Sequence, residues 1–273
     1  MNSDGAKVDV LIAAYRKEGL WRLSEMKLPE VAGVRYVVGW QNPPGEKPGA
    51  VPAALRRKDM LIRRHESLGL ARNRNFTLSY SEADYCLLSD DDVSHTAEQL
   101  QAVAGTFERN PDTDVALFRL EPAEKVYPDR EFDLTEPPEG YFISECEIAF
   151  RRRRIIDSGI SFNELFGLNA PVLGAGEGDI FLYQAMYEGL KCRYFPVTVG
   201  THTGGESTGV NPGREALMAA GAMLWLKHRA TVIPRAWLKA WRSSRGNLWH
   251  GFMSVLRGAY YCSKHVKRNG RVK

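Results

Sequence analysis

Tyr85-Cys86-Leu87-Leu88-Ser89-Asp90-Asp91-Asp92 is an apolar run that ends in three consecutive carboxylates. A run this short and this apolar suits a strand buried on both faces, the kind found inside parallel sheets. The carboxylates then stand where the strand emerges. Upstream, Val8 to Ala14 and Gly33 to Trp40 are two more such runs. Between them, Glu18 to Lys27 spaces Leu20, Leu23 and Met26 for one face of a short helix. Strand, helix, strand in so few residues is a βαβ unit, which requires a parallel pair and a right-handed crossover.

The alternation continues. Asn42 to Pro52 holds four prolines and two glycines and reads as a loop. Asp59 to Arg63 is a third strand, Leu70 to Ser81 a helix, Thr96 to Glu108 a helix with Leu100, Val103 and Phe107 at helical spacing, and Asp114 to Leu120 a strand. Glu121 to Gly140 reads as a surface excursion, Ile143 to Phe150 as a strand, Arg151 to Asp157 as a charged helix start, Asp179 to Glu188 as a helix, and Lys191 to Val199 as a last strand. The pattern predicts an α/β fold with a mostly parallel central sheet flanked by helices. Ligands of such sheets bind beyond the carboxyl ends of the strands, which is where Asp90 to Asp92 fall.

The 273 residues are 44% hydrophobic and 26% charged, enough apolar bulk for a substantial core and too much for a disordered chain. The net charge of +4 hides an asymmetry. After Ala216 there are 12 Lys/Arg and no Asp or Glu, whereas residues 1–215 carry 25 Lys/Arg against 33 Asp/Glu. The basic end, with Trp225, Trp237, Trp241 and Trp249 among its cations, suits either a helical pair packed on the body or a helix on an anionic membrane. No nucleic-acid recognition motif accompanies the charge. The four cysteines form no Cys-x-x-Cys pair, and Cys86 reads as a core thiol. No signal segment is legible at the polar N-terminus, and the expected location is cytoplasmic, peripheral on the inner face of the membrane.

Three adjacent carboxylates repel one another, and a divalent cation removes that cost. Mg²⁺ or Mn²⁺ takes oxygen ligands and is often held by one or two carboxylates together with phosphate oxygens. Alternate residues of an extended segment, such as Asp90 and Asp92, point to one side. The bland alternative is a solvated turn or a helix cap before Thr96. The loop from Gly200 to Gly209 is rich in glycine, which allows a close backbone approach to a ligand, with Ser207 and Thr208 as candidate phosphate donors. Arg151 to Arg154 reads as a solvated charged face, and His65 and His95 as surface residues.

Four segments together resemble family 2 glycosyltransferases, which have the GT-A (Rossmann-like) fold. They are Val10 to Tyr15, Gly69 to Asn73, Asp84 to Asp92, and Phe162 to Gly167 followed by Gly176 to Phe181. The resemblance spans residues 8–209. It implies a GT-A domain over 1–211, with a nucleotide-sugar half to about residue 122 and an acceptor half beyond it, followed by a basic, Trp-rich helical region over 212–273. It implies that Asp92 is the direct metal ligand, with Asp90 and His202 as further ligands. Asp90 and Asp91 would also meet ribose, sugar or metal-bound water, and Ala14, Tyr15, Gln41, Arg72 and Asn73 would contact the donor. The general base is Glu177 or Asp179. The family pattern has adjacent Glu and Asp, and here Gly178 separates them, with Asp179 the favoured candidate. Where relatives carry an Asp that pairs with uracil, this chain has Trp40-Gln41-Asn42.

The implied function is metal-assisted, inverting transfer from a nucleotide-sugar, a UDP-sugar, to a saccharide or lipid-linked glycan in cell-surface polysaccharide synthesis. The competing readings are a sugar-phosphate nucleotidyltransferase, which would need more than the single glycine after the first strand, and a non-catalytic glycan-binding protein of the same fold.

Overall fold

The computed structural model describes residues 7–122, 125–139, 141–172, 174–203, 218, 221–222, 225–226 and 248–269. The chain divides into two compact units that interleave in sequence. One comprises Met1–Leu68, Asn73–Ile155 and Leu190–Gly205; the other comprises Gly69–Arg72, Ile156–Gly189 and Glu206–Lys273.

The first unit is built on one sheet. Its elements are β1 (Val8–Tyr15), α1 (Arg16–Glu25), β2 (Val34–Asn42), β3 (Met60–Glu66), α2 (Leu70–Ser79, whose first turn belongs to the second unit), β4 (Tyr85–Asp90), β5 (Val93–Ser94), α3 (Ala97–Arg109), β6 (Val115–Glu121), β7 (Phe132–Asp133), β8 (Ile148–Arg151), α4 (Arg152–Asp157) and, after the helix α5 (Glu177–Tyr187) of the other unit, β9 (Cys192–His202). The strand order is β3-β2-β1-β4-β8-β6-β9-β5, with β7 pairing β9. β3, β2, β1 and β4 run parallel, as does β6 with β9; β8 is antiparallel to both β4 and β6. The chain leaves β1 for β2 on one side and returns by β4 on the other. This is a topological switch point, and a crevice opens there at the carboxyl ends. Tyr15 ends β1, and the neighbouring β4 ends on Asp90, which is level with Ala13.

β1 and β4 are almost wholly buried, which is why they read as continuous apolar runs. Val8, Val10, Ile12 and Ala14 share a core with Leu20 and Leu23 of α1 and with Leu100, Val103 and Phe107 of α3. Each large side chain so buried contributes about 1.5–3 kcal/mol. The opposite face meets α2, where Gly39 leaves room for Asn73 and Thr77. Asp9 is the one charge inside β1. Its carboxylate accepts from Arg35 Nε and Nη2, at 2.8 and 2.9 Å, and from the Glu82 and Ala83 amides. Asp9 and Arg35 are register partners, so a slip of one residue would strand a buried carboxylate.

Three expectations need revision. Ile143 to Phe150 is strand only from Ile148, because residues 145–147 make a 3-10 turn that turns Glu147 inward. There Glu147 accepts from buried Lys125 at 2.7 Å and from the Tyr127 hydroxyl at 2.7 Å. The stretch from Glu121 is therefore pinned at these residues, and the Lys125 ammonium also lies over the rings of Tyr127, Tyr141 and Phe142. The arginine run is not a solvated face throughout. Arg151 donates to the Thr113 and Phe107 carbonyls, Arg152 to Ser81 and Arg154 to Asp114. His95 is buried, its ring held between Ser89 and the Val199 carbonyl.

In the second unit, Phe166 and Ile180 pack with Met218, Ala222, Leu226 and Cys262, and Phe162 stacks on Phe181 with centroids 4.3 Å apart. Cys262 lies on α6 (Leu248–Asn269). A Cβ on Gly221 would stand 2.0 Å from the Val255 carbonyl oxygen, and one on Gly258 would stand 1.8 Å from that of Met218. Glycine at both places lets the two backbones touch. The expected helical, basic C-terminal region is helical at these described positions; Trp237 and Trp241 lie outside the described residues. All four cysteines are free and buried. Among the described residues no helix is long and apolar enough to cross a membrane.

Candidate active site

The three aspartates turn to three different partners. Asp90 accepts from Arg74 Nη2 at 3.1 Å, a guanidinium that is itself buried. Removing a cation from water costs several kcal/mol unless it is well paired, so Asp90 offsets a cost set by α2. Asp91 points inward. Its Oδ2 accepts from the Tyr15 amide at 3.1 Å, and its Oδ1 accepts from Arg22 Nε and Nη2 at 3.2 and 2.6 Å. Gly19 makes the approach possible, since a Cβ there would lie 2.0 Å from Asp91 Oδ2. Burial pushes the Asp91 carboxyl above the usual range although Arg22 and the Tyr15 amide pull the other way. Asp91 thus ties the triplet to the β1–α1 turn.

Asp92 turns to β9. The antiparallel pairing of β5 with β9 sets Val93 level with His202, and Asp92 Oδ2 then lies 3.3 Å from His202 Nε2. Thr203 holds the same turn, its amide and hydroxyl donating to the Asp92 carbonyl at 2.7 and 2.8 Å. Burial raises the Asp92 carboxyl, His202 opposes that shift, and Asp90 adds to it. Ser207 and Thr208 lie outside the described residues.

His95 braces this arrangement and was not legible as a buried residue in the sequence. Its Nδ1 lies 2.7 Å from the Val199 carbonyl and its Nε2 3.0 Å from Ser89 Oγ. The carbonyl can only accept, so Nδ1 carries the proton and Ser89 donates to Nε2. Burial lowers its pKa to about 4, so the ring is neutral. It links the residue before the triplet to β9. Gly200 is the close neighbour that leaves it space.

The floor of the crevice is stitched from below. Asn73, buried, donates through Nδ2 to the Gly39 carbonyl at 2.9 Å and reaches the Ala14 carbonyl at 3.5 Å; its Oδ1 lies 3.0 Å from His65 Nε2. Gln41 is buried and donates to Ser67, whose hydroxyl meets His65 Nδ1. Ala14 is fully buried and Tyr15 half-buried. After Tyr15 the backbone of Arg16 takes φ 57, a left-handed conformation uncommon outside glycine. The indole N–H of Trp40 donates to the Arg16 carbonyl at 2.9 Å and holds the turn. Beside it lies a cavity of about 480 Å³ walled by Trp21, Trp40, Lys17 and Arg22.

The second unit carries the other predicted residues. Arg72 Nε donates to Glu164 at 2.9 Å. Gly176, at φ 84, precedes α5 and sets Glu177 and Asp179 in its first turn. Glu177 is buried, with its carboxylate packed where Gly167 has no side chain; Asp179 is half-buried.

The residues fit a divalent cation in a particular way. Among the described residues no three Asp, Glu, His or Cys side chains converge as a closed ligand set. Asp90 is turned to Arg74, while Asp92 and His202 approach each other. The Asp92 carboxylate is an oxygen ligand of the kind Mg²⁺ or Mn²⁺ takes beside phosphate oxygens.

Residues 57–161, from the approach to β3 to just past α4, match the family model described as Glycosyl transferase family 2. Over that segment the chain is similar to family 2 glycosyltransferases. The matched segment contains the Asp triplet, Arg74 and His95, and there the chain is similar to enzymes of the glycosyltransferase class. No curated protein matches it in sequence. Among solved structures, S. aureus TarS 1-349 in complex with UDP-GlcNAc aligns over 96% of this chain and 73% of its own, with 16% identity and a TM-score of 0.57. The UDP complex of the same protein covers 96% and 72% at 16% identity and 0.57. TarS 1-349 alone covers 98% and 75% at 15% identity and 0.55. At such identity the likeness is one of fold, the GT-A fold.

Proposed function

We propose that this protein is a glycosyltransferase that moves a sugar from a UDP-sugar, with inversion, to a hydroxyl of a saccharide or lipid-linked glycan in cell-surface polysaccharide synthesis. The observation that carries the donor half is the approach of Asp92 to His202 at the switch-point crevice. UDP-GlcNAc and UDP are the ligands of TarS, on the same fold.

Asp92 and His202 would hold Mn²⁺ or Mg²⁺ against the donor diphosphate. When bound, the cation supplies Lewis-acid relief of the charge that builds on the departing nucleoside diphosphate. Tyr15, Ala14 and Gln41 line the strand ends where the nucleoside would rest. Asp91 fixes the Tyr15 amide and Arg22, and so keeps the crevice in one shape. Asp179 accepts the proton of the attacking acceptor hydroxyl. Its partial exposure in the first turn of α5 supports it over the buried Glu177. Arg72 offers a guanidinium for a phosphate or sugar oxygen.

A panel of nucleotide-sugars with Mn²⁺ or Mg²⁺, assayed for nucleoside diphosphate release with and without oligosaccharide acceptors, tests this reading. UDP release from one UDP-sugar, lost in Asp179→Asn while donor binding persists, is the expected outcome. Equal turnover by Asp179→Asn would assign the base elsewhere. Full binding with no turnover of any donor would favour a glycan-binding protein.

A further inference from the structure

α6 is apolar on two sides. Its inner side is a stripe of small residues, with Ser254, Val255, Gly258, Ala259 and Cys262 all buried. That stripe accounts for its packing inside the second unit. The outer side carries the large residues. Trp249 is 71% and Tyr260 52% exposed, and Leu248 is exposed at the start of the helix. At 100° per residue, Trp249, Met253, Leu256, Tyr260 and Lys264 fall on one outward face, with Arg257 on its flank. Trp249 and Phe252 have ring centroids 6.0 Å apart, and the Lys264 ammonium lies 4.6 Å from the Tyr260 ring. A helix that has already buried one face has no internal reason to present a second of Trp, Tyr and Leu to water.

We infer that this outer face of α6 is a docking surface for an anionic lipid bilayer. Charge selects the partner. The helix has no acidic residue, and from Ala216 onward the chain holds 12 Lys/Arg and no Asp or Glu. Trp and Tyr beside Lys and Arg are the residues that settle at the headgroup boundary, rings inward and cations at the phosphates. A second copy of the same face would set Arg257 and Lys264 against their like, which disfavours self-association. The helix is not apolar enough to cross a bilayer, so it lies in the interface plane.

The full chain, without donor or metal, is sedimented with vesicles of phosphatidylcholine alone and with about 30% phosphatidylglycerol. The inference expects binding to the anionic vesicles only, weakened by salt. It expects at least a tenfold loss of affinity in Trp249→Ala/Tyr260→Ala and a smaller, salt-sensitive loss in Arg257→Gln/Lys264→Gln. Because the aromatic variant could unfold, tryptophan quenching by bromine-labelled lipid is read in the wild type against Trp249→Phe, which keeps the ring bulk; the difference should locate Trp249 in the lipid. No binding to anionic vesicles overturns the inference. So does binding that both variants retain in full, equal quenching in Trp249→Phe, stronger retention on a single-stranded nucleic acid than on vesicles, or a Trp249-dependent dimer in light scattering. Donor binding is measured separately, so failure here leaves the transferase reading untouched.

Discussion

Asp92 Oδ2 and His202 Nε2 stand 3.3 Å apart because the two-residue strand β5 pairs with the last residues of β9. Neither residue is placed by its own neighbours in sequence. β4 delivers the first, β9 extends past Val199 to deliver the second, and the Thr203 amide and hydroxyl close the turn on the Asp92 carbonyl. The pair is therefore a property of the whole sheet, and residues that hold the sheet's carboxyl ends should affect donor binding from a distance.

Gly19→Ala tests the first of these supports. The added methyl would stand 2.0 Å from Asp91 Oδ2, and relief requires the carboxylate or α1 to shift. Overpacking of this kind costs about 1–3 kcal/mol. The urea midpoint should fall accordingly, and UDP affinity in the presence of Mn²⁺ should fall with it. Unchanged stability would mean that Asp91 does not rest on α1.

His95 predicts a pH dependence. Its pKa is lowered by burial from an ordinary 6.5 to about 4 in the folded chain. Between these values the unfolded chain binds a proton that the folded chain refuses, so stability rises with pH through this window. The contribution is complete above about pH 6.5 and is lost as pH falls toward 4, a change of about 3 kcal/mol. Thermal melts of wild type and His95→Gln at successive pH values should show a shallower slope in the variant across that window. Parallel slopes would place the titration elsewhere.

Asn73 separates scaffold from ligand contact. Its amide is buried against the Gly39 and Ala14 carbonyls and His65. Asn73→Ala would leave these groups short of a partner, at about 1–3 kcal/mol. Loss of stability in the absence of any nucleotide is expected by chemical denaturation. A variant that is fully stable yet fails to bind donor would make Asn73 a direct contact.

Much of this was written in the sequence, and the reason is burial. β1, β2 and β4 are buried on both faces, so their apolar runs stood out, and Leu100, Val103 and Phe107 kept helical spacing because α3 packs on them. The Asp triplet at the end of β4 followed from the same pattern. β8 was harder to read. It is short, preceded by a 3-10 turn, and inserted antiparallel between β4 and β6, and nothing local dictates that. Neither were the partners of the carboxylates legible, since Arg22 and Arg74 reach them only through tertiary contacts. His95 looked like a surface residue because the carbonyl that sustains it lies on β9.

Calorimetry of UDP binding with and without Mn²⁺ in wild type, Asp92→Ala and His202→Ala reads the proposed metal ligands themselves. Binding should be Mn²⁺-dependent in the wild type, undetectable in Asp92→Ala, and weaker by about tenfold or more in His202→Ala. Mn²⁺-dependent binding of undiminished affinity in Asp92→Ala would contradict the ligand assignment.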